Sequence, residues 1–319
     1  MHTSFLDTLN FALGITAPIF LLVLLGILLK KYQSIDTNFI DIASKLVFNF
    51  GLPTLLFTTI IKTRHDDLIN LKMLLVGAAG TILFFLLCYV VSLLFVKNKR
   101  DRGVVVQGSF RGNLGIVGLA FSINAFGDIG LATASLYMAI LTVLYNVLSV
   151  LILTQSLNTQ THNISTTIFL NILKNPIIIS ICAALAFVYL DFSLHPILAD
   201  SGDYISALTL PLALICIGGS ISLRELKQSS LISFIAVTMK LIIAPVVMVA
   251  LAIPFDFNPV ELGVIFLMGA APTATASYIM VQAMKGNGIL AANIVVLSTL
   301  GSVISASAGI AILRNFGMI

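Results

Sequence analysis

The chain has 319 residues, of which 59% are hydrophobic and only 9% charged, and its mean hydropathy is +1.09. A soluble domain carries about 25% charged residues. This chain therefore lacks the polar surface to coat a water-exposed globule and reads as an integral membrane protein. The formal charge of +4 sits mostly in short polar breaks, so it speaks to membrane topology and not to nucleic acid.

A spanning helix needs about 20 apolar residues, and ten such segments follow along the chain. The start, MHTSFLDTLN, has neither the basic region nor the small-residue cleavage site of a signal peptide. The first segment, 9–31, is therefore expected to remain as a span. The second, 38–61, carries Asp41 and Lys45 four residues apart on one helix face, which allows a self-neutralising pair, and then Asn49 and Pro53. The third is 69–96. The fourth, 103–126, holds Gln107, Arg111 and Asn113 among Gly108, Gly112, Gly115 and Gly118. The fifth is 129–154, with Asn146. A short polar loop, about 155–165, leads to the sixth, 166–190, and the seventh, 203–222. Lys240 lies within the eighth, 229–253. The ninth, 260–284, contains GAAPTATAS with Pro272 at its middle, then Gln282, and the tenth is 289–314. Cys88, Cys182 and Cys216 all fall in apolar runs, which argues against disulfides. His2, His65, His162 and His195 fall in polar breaks and read as solvated.

With strict alternation of ten spans, one side collects ten Lys/Arg, among them Lys30, Lys31, Arg100, Arg102 and Lys285. The other collects four, together with most of the acids, including Asp200, Asp203 and Glu261. The first side is expected to be cytoplasmic, with both termini outside.

Shifting the sequence by 158 residues brings Pro18 onto Pro176, Pro53 onto Pro211, Ala125 onto Ala283 and Gly130 onto Gly288. This divides the chain into repeats at 1–158 and 159–319. Each repeat holds five spans, an odd number, so the second must cross the membrane in the opposite sense. Inverted repeats are a frequent plan of secondary transporters, with substrate bound at the repeat interface near the midplane.

The same shift sets RGNLG, Arg111 to Gly115, on GAAPT, Gly269 to Thr273. Glycine costs about 1 kcal/mol in a helix interior and proline about 3. Unwound backbone survives in lipid only where protein or water surrounds it. Two centrally broken spans therefore point to an interior site. Its free amides attract anions, and Asn113, Thr273, Thr275 and Ser277 add polar groups. Small residues that merely allow close helix packing are the plainer alternative. Arg111 lies about 12 Å from the cytoplasmic end of its span. Arginine at that depth costs at least about 2.5–3.5 kcal/mol, so it needs a partner or a wet cavity. It either serves the transport pathway or holds the freed carbonyls of its own broken helix. Asp and Glu occur only at the edges of spans and none lies deep within one, while the deepest fixed charges are positive, which favours an anionic substrate. No HExxH, GxSxG or Walker motif appears, so no enzyme activity is expected.

FRGNLGIVGLAF, Phe110 to Phe121, resembles the fourth-span motif of the bacterial branch of the auxin efflux carrier family. APTATASYIMVQAMKGNGILAANIVVLSTLGSVIS, Ala271 to Ser305, resembles its ninth and tenth spans, and KLVFNFGLPTLLF its second. The resemblance implies an all-α membrane fold of ten helices in two inverted five-helix repeats. Helices 4 and 9 break and cross at the midplane, as in sodium/bile-acid symporters. It further implies an elevator-type carrier, a homodimer, and organic-anion substrates: auxin in plants, dicarboxylates such as malate or malonate in bacterial members. The plant carriers' long central loop is missing, which points to a bacterial or archaeal inner membrane. Carried over, Asn113 and Pro272 match the crossover, and Asn113 would contact a substrate carboxylate. The expected substrate-binding set is Asn113, Arg111, Gly112, Pro272, Thr273, Thr275, Ser277 and Asn49, with Asp41, Lys45, Gln107 and Gln282 as support or coupling residues. No metal or organic cofactor is expected, and the coupling ion stays open between sodium and proton. The alternatives are a sodium-coupled symporter of amphipathic anions and a ligand sensor without turnover.

Overall fold

A computed structural model describes residues 5–62, 70–157, 174–192, 194–221 and 230–319. The helices are α1 (Phe5–Lys31), α2 (Thr37–Lys62), α3 (Leu71–Phe95), α4 (Lys99–Phe110), α5 (Leu114–Leu157) and α6 (Pro176–Tyr189). They continue with α7 (Pro196–Ser220), α8 (Leu231–Phe255), α9 (Pro259–Ala270), α10 (Thr275–Ala283) and α11 (Gly288–Asn315). Seven of these helices are long and apolar enough to cross a membrane, and no strand occurs among the described residues. The chain is a multi-pass membrane protein, nearly all helical in its described residues.

The helix starts follow from local chemistry. Side chains of Asp36, Asn70, Asn98, Asn175 and Asn287 accept hydrogen bonds from first-turn amides. Asn258 and Glu261 form a reciprocal capping box, as do Ser230 and Ser233. Such caps satisfy amides that have no intrahelical partner. Pro176, Pro196 and Pro259 each open a helix, where the missing amide costs nothing. Two π-helical turns, Val47–Gly51 and Met239–Ile243, precede Pro53 and Pro245. A proline ring clashes with the preceding turn, and the wider turn relieves that clash without ending the helix.

The outer surface is apolar, with Leu21, Leu94, Leu231 and Ile304 among many exposed large side chains, as a lipid-facing surface requires. Inside, α1 packs on α7 and α2 on α6. The first pair meets backbone to backbone. A Cβ added at Gly26 would stand 2.1 Å from the Ile215 carbonyl oxygen, and one at Gly218 2.0 Å from that of Val23. Only glycine permits this approach.

Several sequence expectations need correction. α7 begins at Pro196, not 203, because His195 caps it: the imidazole Nδ1 accepts from the Ile197 amide at 3.4 Å. His195 is thus a helix cap, while His2, His65 and His162 lie outside the described residues. Asp200 and Asp203 consequently sit on a helix, and Asp203 pairs with Lys62 at 2.6 Å. That is the one ion pair among the described residues, so the pairing of Asp41 with Lys45 that their spacing allows is not made. The sixth segment begins at Pro176, its part 166–173 falling outside the described residues. The fourth and fifth segments meet without a gap in α5, which is 44 residues long. Gly127, at φ 62° and ψ −148°, divides it at the expected break. The three cysteines are free.

Candidate functional site

The helical ladder fails where the sequence gathers its central glycines and proline. Between α4 and α5, Arg111 to Asn113 are extended. Between α9 and α10, Ala271 to Ala274 are extended. The two segments pair with each other as an isolated antiparallel bridge between Gly112 and Thr273. The Asn113 amide donates to the Pro272 carbonyl at 2.6 Å, and the Ala274 amide donates to the Arg111 carbonyl at 3.0 Å. These reciprocal bonds satisfy backbone groups that neither helix can serve. The Thr273 hydroxyl donates to the Gly108 carbonyl at 2.6 Å, closing one freed carbonyl of α4. The Thr273 amide donates to the Ser298 hydroxyl at 3.0 Å.

The helices that restart beyond the bridge have open ends. No side chain caps α5 at Asn113 or α10 at Ala274. Their first amides and the positive end of each helix dipole suit an anion. Asn113 is buried and binds through its backbone; among the described residues its side-chain amide has no hydrogen-bond partner.

A cavity of about 370 Å³ and a second of about 530 Å³ flank this region. The larger lies between the first half of α2, the end of α7, the start of α10 and the middle of α11. Its polar groups come from Asp41, Lys45, Asn49, Thr275 and Thr299, and the rest of its wall is mainly apolar. A cavity of this size with a few placed polar groups fits a small ligand. The smaller, between α1, the second half of α2, α5 and α7, takes in Lys62, Asp128 and Asp203.

The expected site residues therefore divide. Asp41, Lys45, Asn49 and Thr275 line the large cavity. Gly112, Asn113, Pro272 and Thr273 build the bridge behind it. Ser277 is buried, and its hydroxyl has no hydrogen-bond partner among the described residues. Gln282 donates to the Tyr278 hydroxyl at 2.9 Å, and Tyr278 lines the cavity. Gln107 and Arg111 converge on Met280: Nε2 of Gln107 is 3.2 Å and a guanidinium nitrogen of Arg111 3.5 Å from its sulfur. The other guanidinium nitrogen donates to Asn146 Oδ1 at 2.8 Å. Arg111 thus bonds a side-chain amide on α5, not the freed carbonyls of α4.

Sequence reasoning missed Ser298, which closes the second break, and Thr299, which lines the cavity. Both stand on α11 beside two further hydroxyl residues, Ser302 and Ser305, and hydroxyls this deep in an apolar helix were the available signal. It also left Lys240 undecided. Lys240 is 1% exposed, and its ammonium donates to the Gly269 carbonyl at 3.0 Å.

A helical membrane protein with two paired helix breaks beside a polar-lipped cavity has the makings of a carrier. Residues 11–309 match a family model described as "Membrane transport protein", and the chain belongs to this family, the auxin efflux carrier family. It is 23% identical over 274 residues to the "Putative malonate transporter" of Rhizobium meliloti (strain 1021), covering 84% of this chain and 85% of that one. It is 24% identical over 269 residues to an uncharacterized transporter of Methanocaldococcus jannaschii, covering 82% and 86%. The protein is a membrane transporter.

Proposed function

We propose that this transporter is a secondary active, elevator-type carrier of small organic anions, dicarboxylates foremost. The observation that carries this reading is the cavity of about 530 Å³ with the uncapped start of α10 on one wall and Lys45 on another. Free helix amides and an ammonium make two anion-binding poles. Arg111 adds positive potential from behind, and Asn113, on the bridge, orients the carboxylate once the bundle moves. The malonate named for the Rhizobium relative is a dicarboxylate and agrees with two poles.

Two inverted five-helix repeats, 1–158 and 159–319, give the carrier its two faces. Four observations support this. Moved by 158 residues, Thr37–Lys62 becomes 195–220, against Pro196–Ser220. The packing of α1 on α7 is matched by that of α6 on α2. Gly127 and Lys285, related by the same shift, both have positive φ, 62° and 57°. The cavities correspond as well. Phe48, Asn49 and Leu52 of the larger shift onto Ser206, Ala207 and Leu210 of the smaller. Ala213, Ile217 and Ser220 shift back onto Leu55, Thr59 and Lys62. Each cavity is then the image of the other, one for each side of the membrane. The remaining assignments are a homodimer in a bacterial or archaeal inner membrane, both termini outside.

Uptake of labelled malonate, succinate and acetate into proteoliposomes tests the reading. Uptake is expected for at least one dicarboxylate, reduced about tenfold or more by Lys45→Met or Thr275→Ala, the loss of one charged or helix-end contact. Absence of carboxylate uptake would sink it.

A further inference from the structure

Lys240 sits mid-helix in the π-helical turn Met239–Ile243 of α8, about 14 Å along the axis from the nearer end of that helix. A lysine at this depth costs at least about 2.5–3.5 kcal/mol unless it is paired. Among the described residues no carboxylate is within ion-pair distance. Its partner is instead the Gly269 carbonyl, next to last in α9. In an unbroken helix that carbonyl would accept from the amide four residues on, Thr273, but this amide bonds Ser298 instead. The carbonyl is freed by the break and lies at the negative end of the α9 dipole. The ammonium also lies against the first break, since a Cβ added at Gly112 would stand 3.0 Å from Lys240 Nζ. One positive charge thus adjoins both breaks, through the end of α9 at the second and Gly112 at the first. Beside it is a cavity of about 10 Å³, room for about one water, lined among others by Thr81, Tyr145 and Gly269. The Thr81 hydroxyl is buried without a hydrogen-bond partner among the described residues.

Freed carbonyls and helix C-termini beside a broken span are what ion-driven carriers use to bind a coupling cation. We propose that Lys240 is a resident cation: its ammonium fills the position of a coupling ion at the paired breaks, so transport proceeds without an alkali cation. Removing the ammonium leaves the Gly269 carbonyl, the Thr81 hydroxyl and a vacated space that a small free cation enters. The inference rests on the carrier reading above and answers which ion this site takes.

The test compares wild type and Lys240→Ala in proteoliposomes whose buffers hold sodium, ammonium, methylammonium or choline as the monovalent cation, with dicarboxylate uptake as the readout. Wild-type uptake is expected to stay within about twofold in all four. A loss of about tenfold in choline, within the range of ordinary site coupling, overturns the proposal. Lys240→Ala is expected to lose about tenfold or more in choline and to regain several-fold in sodium, ammonium or methylammonium. A well-folded variant that no cation rescues also overturns it, because a lysine serving only to pack would show that result. Lys240→Gln is the second variant, and failure to recover either protein even when purified in ammonium counts against the proposal. Should wild type carry no carboxylate at all, the carrier reading fails, and thermal unfolding in detergent decides this one separately. The small cations must then raise the midpoint of Lys240→Ala and leave wild type unmoved, and equal response of the two overturns the assignment.

Discussion

At the first break the chain carries its own cation, Arg111, whereas the second break, Ala271 to Ala274, holds no charged residue and receives Lys240 from α8. The two cations are employed differently. The Lys240 ammonium is sealed from solvent and bonded to a freed carbonyl. Arg111 is a half-buried residue whose guanidinium bonds Asn146, with Met280 of α10 as its second neighbour. A buried charge on a backbone oxygen fixes the break it touches. A charge on an exchangeable side-chain amide is free to change partners as the bundle moves. The difference suggests that one break is held and the other is used, and substitutions at the two sites should separate stability from substrate affinity.

The largest expected effect tests whether the breaks are held as a pair. Thr273→Val keeps the side-chain shape but removes the hydroxyl that donates to the Gly108 carbonyl. Leaving a buried acceptor without a donor costs about 1–3 kcal/mol. The thermal midpoint should fall by roughly 2–4 °C for each of those kcal/mol, while Thr273→Ser should stay near wild type. An unchanged midpoint for Thr273→Val would mean that each break stands alone.

Next in size is Arg111→Ala. If this cation serves the substrate, the KM for dicarboxylate uptake should rise about tenfold, equivalent to about 1.4 kcal/mol. The thermal midpoint should move less than it does for Thr273→Val, and Arg111→Lys should fall between. Equal loss of stability with an unchanged KM would place Arg111 with Lys240 as a holder and erase the contrast.

Much of this contrast was legible in the sequence. Glycine and proline runs at matching positions announced both breaks, and hydropathy announced the seven helices long and apolar enough to cross a membrane, because both signals are local costs. The pairing between the breaks was not local. The ungapped shift of 158 sets Arg111 on Gly269, but Gly269 and Ala270 are still helical. The reciprocal bonds equate Arg111 with Pro272 and Gly112 with Thr273, three residues further on. Helix α9 keeps two residues there because Lys240 satisfies the Gly269 carbonyl, and nothing in the run GAAPT reports a lysine some 30 residues earlier in the chain. The cavity was legible only in part for the same reason. Lys45, Asn49 and Thr275 drew notice as polar groups in apolar runs, while Thr299 became a lining residue only through the packing of α11 against α10. The hydrogen-bond partner of the Arg111 guanidinium was not legible either, since Asn146 lies 35 residues away on another helix.

The smallest expected effect reads the contact between the two breaks and the buried ammonium most directly. Gly112 has no positive φ that would require glycine, so alanine there is a question of space alone. The new methyl would stand 3.0 Å from Lys240 Nζ and 3.4 Å from its Cε. The ammonium ends a flexible side chain and yields a few tenths of an ångström, lengthening its bond to Gly269. Gly112→Ala should therefore cost no more than about 1 kcal/mol, the scale of one weakened hydrogen bond. Gly115→Ala is the control: its methyl meets Met138 Sδ at 3.6 Å, an ordinary contact, in a helical turn where alanine is favoured by up to about 1 kcal/mol. The cost at Gly112 should also vanish in a Lys240→Ala background, because the atom it crowds is gone, whereas additive losses would show that the methyl offends the bridge itself.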